Sequence, residues 1–240
     1  MKYVRQIDGQ IRASEDLILH DDRIITKGTL GGKIDSSRNL AQSGKCWVFP
    51  GAEIKDGAYV SGNAIIESDS VISDSAKVYG NAIIRGGKVS GETRVLGEAV
   101  VKNEAEVGDE AHVIGNVILT NECKVFGKAR VQGEAIIDGG IIKDDAVVMG
   151  KPLIFGTVEG KGRVSDCVYV DADSIVRGKV SGCVQLVRTV LEPNSIVTGD
   201  HELEDAVIED PSLATSCPER VPQLNAECCS RRELYLANNP

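Results

Sequence analysis

Aromatic residues are scarce in this sequence: Phe, Tyr and Trp together make up 4% of its 240 residues, and Trp occurs once. Ring side chains fill much of the volume of an ordinary globular core, so their scarcity indicates an interior too narrow to hold them. Glycine, by contrast, occurs 26 times. Because glycine adopts positive φ without strain, this number is typical of a chain that turns many tight corners around a narrow core.

Positive charge is also in deficit, since 27 Lys and Arg residues stand against 36 Asp and Glu residues and the net charge is −9. Binding to a nucleic-acid backbone requires clustered Lys and Arg, so a nucleic-acid partner is not expected. No apolar run approaches the length of a membrane span, and residues 1–6 are not followed by the apolar core of a signal peptide. We therefore expect a cytoplasmic protein with no membrane partner.

Metal-binding and catalytic motifs are absent as well. The cysteines include no CxxC pair and no Cys/His spacing typical of a metal site, so no metal is expected. Cys123 and Cys167 fall at or beside small positions of the repeat described below, which favours buried free thiols. Cys228 and Cys229 lie near the C-terminus, and no function is assigned to them. The sequence contains no P-loop, no dinucleotide-binding glycine motif, no G-x-S-x-G and no H-E-x-x-H.

What the sequence does contain is a short phrase that returns along the chain. It consists of a glycine, one variable residue and a run of mostly small and aliphatic residues, and its copies begin at Gly62, Gly80, Gly97, Gly115, Gly133 and Gly150. Successive copies are 17 or 18 residues apart, which is too regular for loops and too short for domains. This period indicates one structural unit stacked on itself.

A finer period of six residues runs inside this phrase. Small residues recur every six positions, and each is followed two residues later by an aliphatic residue, as in Ala58/Val60 and Ala76/Val78. Residues two apart lie on the same side of a strand, so the small and aliphatic side chains point inward together. Three hexads make one 18-residue turn, which predicts three short strands per turn and a triangular prism. The pattern lacks the spacings of three and four that an amphipathic helix needs, so we reject a helical fold.

The segment that leads into the repeat contains Gly31-Gly32, Asn39-Leu40 and Gly44-Lys45-Cys46-Trp47-Val48. This string resembles the leading segment of the YdcK-like hexapeptide-repeat family, in which similar residues precede the coils. The resemblance covers this segment and most of the repeats. It implies a left-handed parallel β-helix and only a loose link to acyltransferases.

We therefore predict an all-β protein with three segments. Residues 1–45 lack the hexad period and contain short strand-like runs, which suits an N-terminal β cap over the open edge of the first turn. Residues 46–209 form the predicted β-helix, a hexapeptide-repeat solenoid whose period loosens after Val158. Residues 210–240 form a C-terminal cap or tail, with a short helix predicted from Arg231 to Ala237.

One face of the predicted prism differs from the other two. On each strand the residue between the small and the aliphatic position points outward, and on two faces these outward residues are mixed in character. On the third face they are all aliphatic and form a continuous apolar stripe. This stripe is called the aliphatic row below, and its members are Ile65, Ile83, Val100, Ile118, Ile136 and Leu153.

Three interpretations of the aliphatic row stay open. In the first, the row is the interface of a homo-oligomer, with a trimer about an axis parallel to the prism as the leading geometry, because β-helix transferases of this appearance associate in that way. In the second, the C-terminal tail folds back along the row. In the third, β-branched residues occupy these positions for their strand propensity alone.

Three histidines, His20, His112 and His201, bear on catalysis. Left-handed β-helix acyltransferases use a histidine as general base beside the thioester of coenzyme A, a role that suits a side chain titrating near neutrality. Only His112 lies on a predicted strand, facing outward in a row with Arg94 and Arg130. A solvated histidine in a mixed polar row is the simpler interpretation. The three histidines are too scattered for the zinc site of a γ-class carbonic anhydrase.

Two functions are compatible with these patterns. The first is a non-catalytic β-solenoid that acts by assembling as a homo-oligomer, for which no cofactor is predicted. The alternative is a transferase-like enzyme, an acetyl-CoA-dependent acyltransferase acting on a sugar, an amine or a nucleotide-sugar. In that alternative His112 is the candidate base, and Arg94 and Arg130 are the candidate cofactor-binding residues.

Overall fold

The computed structural model describes residues 1–209 and 231–239 of the chain. They form an all-β parallel β-solenoid with about 10 turns and a single short C-terminal helix. The fold class predicted from the hexads is therefore confirmed. Among these residues no helix has the length and apolarity that crossing a membrane requires. The chain divides into two compact units, Met1–Glu122 and Cys123–Pro240, which are described in turn.

The strands of the first unit are short, and most of them contain two or three residues. In chain order they are β1 (Tyr3–Arg5), β2 (Gln10–Ala13), β3 (Leu17–Ile18), β4 (Ile24–Ile25), β5 (Leu30–Ile34), β6 (Trp47–Val48), β7 (Glu53–Ile54), β8 (Tyr59–Val60), β9 (Ile65–Ile66), β10 (Val71–Ile72), β11 (Lys77–Val78), β12 (Ile83–Arg85), β13 (Lys88–Val89), β14 (Arg94–Gly97), β15 (Val100–Lys102), β16 (Glu106–Val107), β17 (His112–Gly115) and β18 (Ile118–Thr120).

Three faces of the first unit are built from parallel strands of successive turns. The first face contains β5, β7, β10, β13 and β16, the second contains β8, β11, β14 and β17, and the third contains β6, β9, β12, β15 and β18. The register joins each residue to its equivalent one turn later, as for Lys77 with Arg94 and Arg94 with His112. Equivalent side chains therefore stack in columns about 4.8 Å apart on each face.

The N-terminal strands close the edge of the first face. Strand β1 pairs antiparallel with β2, β2 pairs antiparallel with β5, and β5 joins β7 in parallel. Strands β3 and β4 form a separate antiparallel hairpin. Strand β2 pairs with the backbone donors and acceptors that β5 would otherwise expose at this edge, and β1 covers β2 in turn.

The second unit continues with strands of the same kind and ends in a helix. They are β19 (Lys124–Val125), β20 (Arg130–Gly133), β21 (Ile136–Asp138), β22 (Ile141–Ile142), β23 (Val147–Val148), β24 (Leu153–Ile154), β25 (Thr157–Val158), β26 (Arg163–Val164), β27 (Tyr169–Val170), β28 (Ile175–Val176), β29 (Lys179–Val187), β30 (Val190–Leu191), β31 (Ile196–Glu204), β32 (Val207–Ile208) and helix α1, residues 231–238.

The faces of the second unit follow the same plan. Strands β19, β22, β25, β28, β30 and β32 form its first face, β20, β23 and β26 its second, and β21, β24 and β27 its third. Strand β29 belongs to two faces, because Lys179 pairs with β26 and Gln185 pairs with β27. Strand β31 pairs with β29 along its whole length.

The predicted inward positions are buried. Val60, Val78 and Val113 are 0% exposed, as are most of the alanines that precede such residues by two positions. The Cys123 side chain is buried, as predicted, whereas that of Cys167 is only half-buried. Cys228 and Cys229 lie outside the described residues.

Glycines of the repeated phrase form the corner between the second and third faces of the first unit. Gly62, Gly80, Gly97 and Gly115 all have positive φ, from +70° at Gly80 to +108° at Gly115. A Cβ atom on Gly97 would lie 2.8 Å from both the backbone nitrogen and the carbonyl oxygen of Gly115. Glycine is therefore required at this corner both for its φ and for the close approach of successive turns.

Candidate functional site

The aliphatic row occupies the third face, and in the first unit its members are neighbours in register. Ile65 pairs with Ile83, Ile83 with Val100, and Val100 with Ile118. Their exposure differs, because Ile65 is fully buried whereas Ile83, Val100 and Ile118 are half-buried. The open part of the row in this unit therefore spans three successive turns.

The hairpin of β3 and β4 reaches the buried end of the row in the first unit. Arg23 precedes β4, and its guanidinium carbon lies 4.5 Å from the centroid of the Phe49 ring. A guanidinium nitrogen of Arg23 lies 2.7 Å from a carboxylate oxygen of Glu67, two residues after Ile65. A cation over an aromatic face and an ion pair thus hold the hairpin beside this end of the row.

Glu67 is the electrostatic centre of that contact. Burial acts to raise the pKa of Glu67, but its hydrogen bonds to Arg85 and Arg23 outweigh burial, and the net shift of the pKa is downward. The carboxylate therefore stays ionised between the two guanidinium groups at neutral pH.

In the second unit helix α1 lies against the third face. The groove between them is lined by Leu153, Phe155 and Tyr169 on the solenoid and by residues of the helix that include Leu234 and Tyr235. Leu153 is 5% exposed, and Ile136, its neighbour in register, is 0% exposed. The members of the aliphatic row in the second unit are therefore both buried.

Two arginines and one tyrosine attach helix α1 to this face. Arg232 donates a hydrogen bond of 2.8 Å to the carbonyl oxygen of Glu134, and the guanidinium carbon of Arg231 lies 5.1 Å from the centroid of the Tyr169 ring. The ring of Tyr235 meets that of Phe155 edge to face, with centroids 6.1 Å apart. Such pairs contribute about 0.5–1.5 kcal/mol beyond the area that they bury.

The environment of the Tyr235 hydroxyl is also distinctive. Burial, followed by the hydrogen bond to the Asp138 side chain, raises the pKa of Tyr235 above its usual value. The phenol therefore stays protonated at any physiological pH and can donate to Asp138. This contact is a second polar anchor of the helix, beside the hydrogen bond from Arg232 to Glu134.

A second apolar column lies beside the open part of the row, and sequence reasoning missed it. Leu96 and Ile114 pair in register on the second face, and Tyr79 precedes them by one turn. Ile114 is 36% exposed, and Tyr79 and Leu96 are half-buried. These three residues, called the corner column below, are separated from the open part of the row by the glycine corner. The signal in the sequence was an apolar residue directly before Gly80, Gly97 and Gly115.

Two oppositely charged residues border the open part of the row. Lys102 lies two residues after Val100 on β15, and Glu98 lies two residues before Val100, at the corner that precedes this strand. No ion pair of either residue occurs within the described part of the chain. Glu98 is exposed and Lys102 is half-buried. The row therefore has an acidic border on one side of Val100 and a basic border on the other.

The predicted catalytic and cofactor-binding residues lie on the second face. Arg94 and His112 pair in register in the first unit, where Arg94 is exposed and His112 is half-buried. Arg130 is exposed on β20 of the second unit. His201 lies elsewhere, on β31, with its Nε2 atom 2.8 Å from the carbonyl oxygen of Thr198, and His20 lies in the turn between β3 and β4. The structure brings Arg94 and His112 together and leaves His20 apart from them.

Carboxylates at the corners have structural partners. Asp74 accepts a hydrogen bond of 2.8 Å from the backbone N–H of Gly91, and Asp144 accepts one of 2.9 Å from that of Gly160. Each bond ties one turn to the next. Within residues 1–209 and 231–239, no group of three or more His, Cys, Asp and Glu side chains is arranged to hold a metal ion.

Comparison with known proteins adds no family to this fold. No family model matches the sequence, and no curated protein matches it. The resemblance to the YdcK-like family therefore stays a prediction, whereas the parallel β-solenoid that it implies is the observed architecture.

Proposed function

We propose that this protein is a non-catalytic β-solenoid that acts by association, and that copies pack together as a homo-oligomer through the third face of the first unit. The observation that carries the proposal is the open part of the aliphatic row, in which Ile83, Val100 and Ile118 stay half-buried on successive turns. Soluble proteins seldom leave a continuous apolar stripe of this kind without a partner.

The corner column enlarges this surface. Tyr79, Leu96 and Ile114 extend the apolar area around the glycine corner, so six residues of two faces contribute to it. Burying a whole aliphatic side chain contributes about 1.5–3 kcal/mol, and half-buried residues contribute on the order of half of that each. The sum is comparable to the roughly 4–15 kcal/mol that association loses in translational and rotational freedom. A modest, concentration-dependent oligomer is the expected result.

The charged borders favour one orientation of the copies. If two copies meet with their solenoid axes parallel, the Glu98 border of one faces the Lys102 border of the other. If the axes are antiparallel, like charges face each other, which is unfavourable. A parallel arrangement is also what a trimer around a common axis requires, and the trimer is the leading geometry of this proposal.

The substitution Val100→Asp tests the proposal. We expect the unmodified protein to sediment at a multiple of the 25.6 kDa chain mass and the variant to shift toward a single chain, because Asp loses the burial of valine and places an unpaired charge in the interface. The matched control is Val71→Asp, since Val71 is also a half-buried outward valine and lies on the first face.

Two outcomes of sedimentation velocity would overturn the proposal. One is an unmodified protein that stays a single chain at every concentration. The other is an equal loss of mass in Val71→Asp, which would mean that the third face has no special role. A thermal unfolding curve of each variant separates loss of association from loss of folding.

The acyltransferase alternative has one observation in its favour, the adjacency of Arg94 and His112 on a rigid face next to Lys77. Together they form a basic column that suits an anionic cofactor. A thermal-shift measurement with acetyl-CoA tests it. Stabilisation that is lost in both Arg94→Ala and His112→Ala would favour the enzyme, and no stabilisation of the unmodified protein would exclude it.

A further inference from the structure

We infer that the third face of the second unit is a recognition site for a short amphipathic helix, and that helix α1 of a second copy binds it in exchange for the chain's own. The site is the surface between Glu134 and Tyr169 against which α1 lies. This inference concerns a different surface from the one proposed above for association.

The solenoid contacts the helix at three separate residues. Arg231 is recognised by the ring of Tyr169, Arg232 by the carbonyl oxygen of Glu134, and Tyr235 by the edge of Phe155. Residues three and four apart lie on one side of a helix, so Arg231, Arg232 and Tyr235 face the solenoid together. This is the arrangement by which grooves bind amphipathic helices in peptide recognition.

Helix α1 depends on this surface for its structure. It contains the eight residues 231–238, and a helix of this length is not stable alone in water. The contact is nevertheless only partly enclosed, because Leu234 is 65% exposed and the Glu134 side chain is 42% exposed. A small, partly open contact of this kind releases its helix far more readily than the core releases a strand.

The length of the intervening chain allows the helix to reach another copy. Residues 210–230 separate β32 from α1, and a chain of that length spans at most roughly 70 Å. Tethering gives the chain's own helix an advantage equivalent to a high local concentration. Exchange between copies is therefore expected when the protein is concentrated, or when the chain's own helix is unable to bind.

A labelled peptide of residues 230–240 tests the recognition site. In the full-length variant Arg232→Glu/Tyr235→Ala the site is vacated, and we expect this variant to bind the peptide at least about tenfold more tightly than the unmodified protein, whose own helix competes. A peptide with Tyr235→Ala should bind weakly, and one with Glu233→Gln should bind as well as the natural sequence, because Glu233 is exposed on the helix. Fluorescence anisotropy measures the binding of the natural peptide to both proteins and the binding of the two altered peptides to the vacated variant.

The inference is overturned if the vacated variant does not bind the peptide, or if the Tyr235→Ala peptide binds as well as the natural one. A second vacated variant, Arg231→Ala/Tyr235→Ala, guards against a misfolded protein, and circular dichroism of each variant verifies the solenoid. Because the readout is binding of a peptide to the second unit, it does not depend on whether copies associate through Val100.

Exchange between whole chains is tested by mixing two variants, both carrying Val100→Asp so that the association proposed above does not contribute. The first variant adds Phe155→Asp, which damages its own site and so releases its own helix. The second adds Tyr235→Ala, which weakens binding of its own helix and so leaves its site empty. We expect each alone to have the 25.6 kDa mass of one chain and the mixture to form a complex of two chains. A mixture that remains at the mass of one chain would overturn exchange.

Discussion

At the scale of single residues, Tyr3 shows how the N-terminal strands are tied to the first turns. Tyr3 is 1% exposed, and its hydroxyl donates a hydrogen bond of 2.7 Å to the carbonyl oxygen of Leu40. Burial, and then the proximity of Cys46, raises the pKa of Tyr3 to about 12. The structure therefore holds this phenol in its neutral form well beyond the pH at which a free tyrosine ionises.

The substitution Tyr3→Phe should make the protein less stable at neutral pH and less sensitive to alkali. Losing the hydrogen bond to Leu40 lowers the free energy of unfolding by about 1 kcal/mol. A tyrosine of the unfolded chain has a pKa of about 10, whereas the pKa of Tyr3 in the folded chain is about 12. The stabilisation from this group is thus fully present below about pH 10 and is lost as pH rises through the folded pKa.

Urea unfolding of both proteins between about pH 9 and about pH 12 measures this difference. The other tyrosines contribute equally to both proteins, so their effects cancel in the comparison. The free energy of unfolding of the unmodified protein should fall more steeply with pH than that of Tyr3→Phe. Parallel curves would contradict the assignment of the shift to Tyr3.

Which single residues are inward could be predicted from the sequence, but which outward residues are covered could not. The inward pairs depend only on the local periods of two and six, so Val60 and Val78 could be assigned without any knowledge of distant segments. Ile65 and Ile83 look alike in the sequence, yet Ile65 is buried and Ile83 is half-buried. Ile65 lies two residues before Glu67, which Arg23 of the hairpin contacts, and this contact joins residues far apart in the chain.

At the scale of elements, the glycine corner is the part of each turn that tolerates the least change. The substitution Gly97→Ala combines an unfavourable φ of +90° with a Cβ atom 2.8 Å from the backbone of Gly115. Gly86 offers a matched control, because its φ is +66° and a Cβ there would meet nothing within 4 Å. The two substitutions share the backbone strain and differ in the contact.

We expect Gly86→Ala to lower the free energy of unfolding by about 1–2 kcal/mol, which is the strain of a left-handed residue that has a side chain. Gly97→Ala should lower it by at least about 1 kcal/mol more, because the turns at the corner must move apart. Urea unfolding of the two variants provides the comparison. Equal losses would show that φ alone, and not the stacking of turns, requires glycine at the corner.

The last strands show where the periodic pattern was a weaker guide. From Val180 to Leu191 and from Val197 to Ile208 the sequence fits the hexads only with steps of four and five residues, whereas the structure has two nine-residue strands in this region, Lys179–Val187 and Ile196–Glu204. Gly182 and Gly199 keep the positive φ that is typical of the corner. The two strands nevertheless pair residue by residue through this corner without interruption. Because two adjacent turns shorten together, their pairing is preserved even though the hexad is not.

At the scale of the whole molecule, the solenoid fold follows from the repeated hexads. The closure of its ends and the covering of the aliphatic row depend on segments that lack the repeat. The solenoid was predictable because each turn repeats one local solution, and the short helix predicted from Arg231 to Ala237 is present as residues 231–238. Its position against Leu153 and Phe155 was one of several open alternatives. No local pattern distinguishes a helix that folds back from one that projects into solvent, so the covered part of the row could not be assigned from the sequence.

A solenoid must also end without leaving a sheet edge that recruits other chains. In the first unit β5 is protected by β2, through Gln10 opposite Lys33 and Arg12 opposite Leu30, and β2 is protected in turn by β1. Ile11 of β2 is 0% exposed, and one of its side-chain carbons would lie 2.5 Å from a Cβ placed on Gly31. Polar pairing and close packing thus coincide at the same edge.

Removing residues 1–28 should therefore convert the first face into a site of uncontrolled pairing, because β5 would present free backbone donors and acceptors to other chains. The deletion is best made together with Val100→Asp, so that association through the aliphatic row does not contribute. We expect sedimentation velocity to show large, heterogeneous species for the shortened chain and a single species for full-length Val100→Asp. The full-length variant Ile11→Asp, also in that background, should aggregate in the same way, because a buried charge displaces β2 from β5. If both variants stay single species with the strand content of the parent by circular dichroism, the N-terminal strands do not protect the solenoid from edge-to-edge association.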